Sequence, residues 1–263
     1  MAKKAAFLLL ISLLIFLFAC SDDSYSPPET FFEATIEFPT EAATTAVTTE
    51  ATEPAPLHSP LYIEGLEVED VIRYFNEVCL DAEFVNSGNA SLVQKWSVPI
   101  RYSIEGTPTD EDMAVLNNFA DWLNSIEGFP GISLAADPAQ ANLRIHFCTQ
   151  PELLQLMGDN YRGMDGAVTF WYNNNHIYDA IICYRTDIEQ TVRNSVILEE
   201  IYNGLGPIQD TQLRPDSIIY SGYSEPQHLT AIDELILRLL YHPQIRCGMD
   251  AQACEAVIRA LYY

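Results

Sequence analysis

The sequence predicts a mixed α+β domain over residues 61–263, because helical and strand-like patterns alternate along this part of the chain. Residues 96–104 alternate apolar and polar side chains, as a half-buried strand does. Residues 167–172 and 177–184 read as two strands of a hairpin, since the three asparagines between them tolerate left-handed turn positions. Helical periodicity dominates the last third. The domain holds about 200 residues, enough for one hydrophobic core.

The remaining elements follow from spacing and capping residues. A first amphipathic helix is predicted within residues 65–84, and a second begins after Thr109, a suitable N-cap, and ends at Gly128. Asp250 is the predicted cap of the last helix. The other segments are short strands at 132–135 and 143–148 and helices at 187–205, 229–241 and 251–262.

The N-terminal residues have the pattern of an export signal. A pair of lysines precedes an apolar run of about 15 residues that ends at Ala19, whereas spanning a bilayer takes roughly 20. The last residues of the run and the cysteine after it, Leu17-Phe18-Ala19-Cys20, resemble the bacterial lipobox. Charged residues follow Cys20. We expect residues 1–19 to be removed as a signal peptide and lipid on Cys20 to hold the protein on the extracytoplasmic side of a cell membrane. The alternative is an uncleaved signal anchor with an incidental cysteine.

Charge and composition limit the partners. The whole chain has a formal net charge of -24, which argues against nucleic acid and anionic lipid headgroups as ligands. Residues 21–60 contain no Lys or Arg and few large apolar side chains after Phe38. Such a segment cannot bury enough surface to offset its ordering entropy. Residues 20–60 are therefore predicted to be the lipidated cysteine followed by a disordered acidic tether.

Five cysteines follow Cys20, and an exported chain meets an oxidising compartment. Cys247 and Cys254 bracket a short loop and are predicted to form a disulfide. Cys148 and Cys183 lie on predicted strands and are a second possible pair, which leaves Cys79 free. For each of these cysteines, the alternative is a small buried apolar residue.

The segment from Val196 to Asp210 carries the most informative pattern. It resembles the metzincin zinc motif H-E-x-x-H-x-x-G-x-x-H, with Glu200 and Gly206 in register. In that motif, two ligands one helical turn apart share a helix face, and the glycine ends the helix so that a third ligand can approach. The three ligand positions here hold Glu199, Asn203 and Gln209, and none of them is histidine.

The resemblance extends beyond this motif. Residues 217–220 and the helix after them resemble the metzincin Met-turn and closing helix, with Ile219 at the methionine position, and residues 142–147 resemble the edge strand of that family. The fold that this implies is zincin-like, with a mixed sheet, a motif-bearing central helix and C-terminal helices.

Residues 193–262 are more closely similar to a family of bacterial lipoproteins with a domain of unknown function, in which E-E-x-x-Q is followed by L-G and N-D. Asn203 and Gln209 differ from that pattern but remain amides. The matching positions are Glu199, Glu200, Leu205, Gly206, Pro207, Asp210, Asp216, Ser217, Leu229, Thr230, Asp233, Leu237, Arg238, Tyr241, Pro243, Gly248 and Met249.

The residues at the motif positions predict the loss of zinc chemistry. A catalytic zinc needs three good protein ligands, whereas one carboxylate and two neutral amides form a poor set. Glu200 would then have no activated water, and we expect no metal or other cofactor. The histidines do not restore the spacing, although His228 lies near the predicted turn.

Two functions of different class remain. The first is a non-catalytic module that binds a peptide or a cell-envelope protein in the cleft of a degenerate protease. The second is a hydrolase that uses Glu199, Glu200 and Asp210 with an atypical metal site or with no metal, since carboxylates and amides suit oxygen-loving cations better than zinc.

Overall fold

Six strands form one mostly parallel sheet in the computed structural model, which describes residues 59–80, 92–222 and 225–263. The strands are β1 (Lys95–Trp96), β2 (Ile100–Gly106), β3 (Ile132–Leu134), β4 (Leu143–Cys148), β5 (Gly166–Asn173) and β6 (His176–Arg185). The six α-helices are α1 (Val68–Leu80), α2 (Asp110–Leu123), α3 (Gln150–Met157), α4 (Gln190–Gly204), α5 (Ala231–Tyr241) and α6 (Ala251–Tyr262). The predicted signal peptide, Cys20 and acidic tether lie outside the described residues.

The sheet has the order β3-β2-β4-β6-β5, and β1 pairs with the first residues of β6. All pairings are parallel except that of β5 with β6, which form the antiparallel hairpin. The expected mixed sheet is therefore confirmed, with β5 as an antiparallel edge strand. None of the helices in the described residues has the length and hydropathy that crossing a bilayer requires.

Helix α4 is the central helix of the domain, since it packs on β5, β6 and α2. Nine of its residues are buried, and the fully enclosed Tyr202 donates a hydrogen bond to the Asp233 carbonyl at the start of α5. Helices α1 and α6 pack together, and both contribute to the same hydrophobic core as α4 and α5. The core thus surrounds the helix that carries the sequence motif.

Several local predictions are confirmed. Asn174 and Asn175 have φ values of 49° and 65°, the left-handed conformations that a tight hairpin turn requires. Thr109 caps α2 in a reciprocal capping box with Asp112, and Asp250 accepts a hydrogen bond from the Ala253 amide at the start of α6.

The structure corrects four expectations about the elements. The predicted strand at 96–104 is two strands, because Pro99 lacks a donor and the chain bends between Trp96 and Ile100. The strand predicted at 143–148 is present, but it lies between β2 and β6, so the comparison of residues 142–147 with the metzincin edge strand was wrong. Helix α2 ends at Leu123, before Gly128, and α3 was not predicted.

The cysteine prediction is also corrected. All five described cysteines are unbridged, including Cys247 and Cys254. Cys254 is fully buried on the inner face of α6, whereas Cys247 donates to the Lys95 carbonyl at 3.7 Å. Cys148 and Cys183 lie in one small apolar cluster, and a hydrogen bond joins their thiols.

Candidate functional site

The C-terminal end of α4 is held in place by the strands and helices around it. The Trp96 indole donates a hydrogen bond to the Gly204 carbonyl at 2.9 Å, and the Tyr241 hydroxyl donates one to the Leu205 carbonyl at 2.8 Å. Gly206 follows with φ 129°, and a Cβ there would lie 2.4 Å from the Gln94 carbonyl oxygen. Only glycine fits this close approach, so Gly206 ends the helix and turns the chain.

A groove of about 660 Å³ runs along the exposed side of α4. One wall is the start of β5, the floor is α4, and the other wall is the loop that follows Gly206. The described residues that line it include Tyr161, Met164, Asp165, Gly166, Ala167, Val168, Val192, Ser195, Val196, Ile208, Ile218, Tyr220, Ser221 and Gly222.

The groove brings together the side chains that the sequence singled out. Glu199, Glu200, Asn203, Gln209 and Asp210 all line it. Gly206 is buried and does not line the groove, and its role is to turn the chain after α4. His228 is exposed and is not among the lining residues. Ile219 is fully buried in the core, so its neighbours Ile218 and Tyr220 face the groove instead.

Two close contacts define the geometry at the centre. Asn203 Nδ2 donates to Asp210 Oδ1 at 3.4 Å, and Asn203 Oδ1 is cut off from solvent with no hydrogen-bond partner in the described structure. Across the groove, a Cβ at Gly166 would lie 2.4 Å from Val196 Cγ1 and 2.9 Å from Glu200 Oε1. Strand β5 therefore approaches α4 as closely as glycine permits, directly beside the Glu200 carboxyl.

The two glutamates lack compensating cations. Within the described residues, neither Glu199 nor Glu200 makes a salt bridge or a side-chain hydrogen bond. Burial, Asp210 and Asp165 raise the pKa of Glu199 to about 7. Burial, Glu199 and Asp210 raise the pKa of Glu200 well above its ordinary value. Lys, Arg and His are absent from the described lining, so the groove is uniformly acidic or neutral.

The side chains at the three ligand positions do not fit zinc. Asn203 directs its amide nitrogen towards Asp210, and neither amide supplies the imidazole or thiolate that zinc prefers. No group of three or more His, Cys, Asp or Glu side chains in the described chain is arranged to hold a metal ion. The site offers carboxyl and amide groups.

Sequence reasoning missed the second wall of the groove. Asp165 and Gly166 lie at the start of the hairpin, more than 30 positions before Glu199 in the chain. Only the pairing of β5 with β6 brings them to the helix. Asp165 also accepts a 3.0 Å salt bridge from Arg185, which compensates its charge from behind the groove.

A search of curated proteins finds no significant match to the chain. A family model described as "Protein of unknown function (DUF2927)" matches residues 68–260, from α1 to near the end of α6. This match includes β5, α4 and the loop after Gly206, and hence both walls and the floor of the groove. It covers well over half of the sequence, and the chain belongs to the DUF2927 family.

Proposed function

We propose that this domain is a non-catalytic, zincin-like module that binds an extended peptide segment in the groove beside α4. The observation that carries the proposal is the edge of β5, which borders the groove and has no strand partner on that side within the described residues. An exposed strand edge is a template for another chain, because its N–H and C=O groups are unpaired.

The ladder between β5 and β6 indicates which groups are available. The Arg185 amide donates to the Asp165 carbonyl at 3.0 Å, so these opposed residues form a hydrogen-bonded pair. Residues alternate along an antiparallel ladder. The backbone groups of Gly166, Val168 and Phe170 therefore point away from β6, and the first two of these residues line the groove.

The walls suit a strand with alternating side chains. Val168 and Val196 give apolar surface on one side, and Ile218 and Tyr220 give it on the other. An added strand would place every second side chain into such a groove, which gives a means of selecting its sequence. Among the described residues, the donors at the three motif positions are one carboxyl and two amides, a poor set for zinc, and this supports a binding role over zinc-dependent proteolysis.

Zincin-like ancestry is proposed from the motif frame and is supported by its geometry. Glu199 and Asn203 lie one turn apart on the groove face of α4, and the turn at Gly206 returns Gln209 to the same groove. This is the arrangement that the metzincin motif implies for its three ligands. The degenerate positions are thus close in space although their chemistry differs.

We also propose that the domain is displayed on the extracytoplasmic side of a cell membrane by lipid on Cys20. The lipobox-like segment supports this location. Replacing Cys20 with serine should abolish labelling by a radioactive fatty acid and leave unprocessed precursor. Membrane retention of mature protein that carries no acyl label would contradict the anchor.

Selection from a phage-displayed library of random heptapeptides tests peptide binding. Immobilised full-length protein should enrich peptides that bind with a measurable Kd, and Ser221→Trp should abolish their binding because the indole would fill the groove. Ser221 is exposed, so the change leaves the core intact. Ser221→Ala is the matched control and should bind normally.

A backbone variant tests the strand edge itself. Val168→Pro removes one outward N–H without removing a hydrogen bond to β6, whereas Val168→Thr keeps the backbone donor. We expect the proline variant to lose affinity on the order of tenfold while the threonine variant does not. Enriched peptides that bind Ser221→Trp and folded Val168→Pro as well as wild type would exclude this groove as the binding site.

A hydrolase is the second candidate, and the pKa of Glu199 favours it. A carboxyl with a pKa of about 7 suits general acid–base catalysis at neutral pH, and burial, Glu199 and Asp210 raise the pKa of the neighbouring Glu200 well above its ordinary value. Cleavage of denatured casein or a fluorogenic peptide that is lost in Glu200→Gln would establish this function in place of pure binding. Complete recovery of intact peptide after long incubation is the result expected from the binding module.

A further inference from the structure

We infer that Cys148, Cys183 and Met157 form a binding site for one soft, sulfur-preferring cation, of which Cu(I) fits the donors best. The three side chains meet where α3 packs on the sheet, on the opposite face from the groove. This sulfur site is therefore separate from the peptide groove and from the motif segment. Its ligands are two thiols and a thioether, in place of carboxyls and amides.

Strand pairing brings the two thiols together. Strands β4 and β6 are adjacent and parallel, with His146 opposite Cys183, so Cys148 lies two residues further along on the same face. A hydrogen bond joins the two thiols. Tyr184 points to the other face, since its hydroxyl donates to the Ile197 carbonyl of α4. A cation that binds both thiolates would replace the proton between the two sulfurs, on the face away from α4.

Helix α3 supplies a third sulfur. Met157 packs against the small apolar cluster that both cysteines form with the fully enclosed Leu153. Leu153 and Met157 are one turn of α3 apart, so both lie on the side of this helix that covers the sheet. The thioether of methionine is a neutral, polarisable donor, and it lies in the same cluster as the two thiols.

The donor set selects among metal ions. Thiolate and thioether sulfurs prefer soft ions such as Cu(I), whereas Mg²⁺ and Ca²⁺ take oxygen ligands. Structural zinc takes four ligands, and within the described chain no third His, Cys, Asp or Glu joins the two thiols in a metal-holding arrangement. Cu(I) accepts a set of two or three sulfurs. The site is therefore complete for Cu(I) and incomplete for zinc.

A cavity gives an ion access to the thiols. It has a volume of about 380 Å³, and its lining includes Cys148, His146 and Glu152. Cys148 is 6% exposed and Cys183 is completely enclosed, so an ion would reach Cys148 first. On binding, both thiols lose a proton to water, two bonds form between sulfur and copper, and no electron is transferred.

The test titrates reduced full-length protein with Cu(I) under anaerobic conditions, in competition with the coloured Cu(I) chelator bathocuproine disulfonate. Wild type should withhold about one Cu(I) ion per chain from the chelator. Cys148→Ala should weaken this binding at least about 100-fold, and Met157→Leu, which keeps the apolar volume, about tenfold. Cys247→Ser is the matched control, because it removes a thiol outside the cluster, and it should bind as wild type does.

Two measurements on the wild-type protein do not depend on the folding of a variant. X-ray absorption at the copper edge should find only sulfur ligands, and bound Cu(I) should protect Cys148 from alkylation by iodoacetamide. Nitrogen ligands at copper, or equal Cu(I) affinity of wild type and Cys148→Ala, would overturn the site. So would recovery of Cys148 and Cys183 in one disulfide-linked fragment of protein isolated without reductant, because a disulfide offers no thiolate.

Discussion

The two ends of α4 handle buried acids in opposite ways. Near its N-terminus, Arg193 donates to the fully buried Asp112 at 2.7 Å, and Gln190 donates to the same carboxylate at 2.6 Å. Near its C-terminus, Glu199 and Glu200 are half-buried and have no such donor among the described residues. Helix α4 thus compensates a carboxylate of α2 near one end and carries an uncompensated pair of its own about two turns further on.

The pKa values show what the difference means. Burial pushes the pKa of Asp112 upward, but hydrogen bonds from Arg193, Thr109 and Gln190 outweigh it and hold this pKa below its ordinary value. At the groove, burial and like charge act together, and the pKa values of both glutamates rise. The N-terminal end is built for stability. The C-terminal end sacrifices stability, as functional sites commonly do.

The largest loss of stability should come from removing the cation that compensates Asp112. Arg193→Met leaves Asp112 buried without its cation and should lower the free energy of unfolding by about 3 to 5 kcal/mol, measured by urea denaturation. Asp112→Asn combined with Arg193→Met should recover much of the loss, because no buried charge then remains. A loss below about 1 kcal/mol for the single variant would show that the pair is not structurally important.

Removing a charge at the uncompensated end of α4 should instead stabilise the domain. Glu199 has an ordinary pKa of 4.5 and a folded-state pKa of about 7, so the folded protein binds more protons between these values. Its contribution to stability is therefore greatest at acidic pH and declines as pH rises through 7. Glu199→Gln should stabilise the domain by roughly 1 to 2 kcal/mol at pH 8 and by little at pH 4.5. Thermal unfolding across pH would measure this, and a pH-independent effect would contradict the raised pKa.

The smallest effect should come from a carboxylate that is paired but partly exposed. Arg144 forms two hydrogen bonds with Asp179, at 2.8 and 3.0 Å, between adjacent strands. Their side chains are 33% and 29% exposed, so water screens the pair. A double-mutant cycle with Asp179→Asn and Arg144→Gln should give a coupling energy of about 1 kcal/mol or less. If this coupling energy equalled that of the buried Arg193 and Asp112 pair, burial would not be the reason why one ion pair stabilises the domain more than the other.

The sequence predicted those parts of the fold that depend on local chemistry. The asparagine turn, the Thr109 cap and the Asp250 cap each need only neighbouring residues, and each is present. Helix α3 was missed because Leu153 is its one fully buried residue, which leaves little apolar periodicity. Its signal was available in Thr149 and Glu152, which form a capping box.

The candidate site was predicted only as far as one segment reaches. Spacing within residues 199–210 was sufficient to place five polar side chains in one groove, because a helix and a glycine turn are local features. The opposite wall depends on strand pairing over long sequence separations, for which residues 166–173 carry no functional motif. The Arg193 and Asp112 pair was missed for the same reason, since 81 positions separate its members.

The contact between α1 and α6 has a consequence for the order in which the domain folds. Tyr262 donates its hydroxyl to the Leu66 carbonyl at 2.8 Å, across 196 positions, and Ile258 and Cys254 on the same helix are completely enclosed. Contacts of such long range form slowly, because the loop must close before they contribute. A chain that emerges from its N-terminus first therefore cannot seal this core until α6 has emerged. Until then, the part of the apolar face of α1 that α6 covers stays exposed to water.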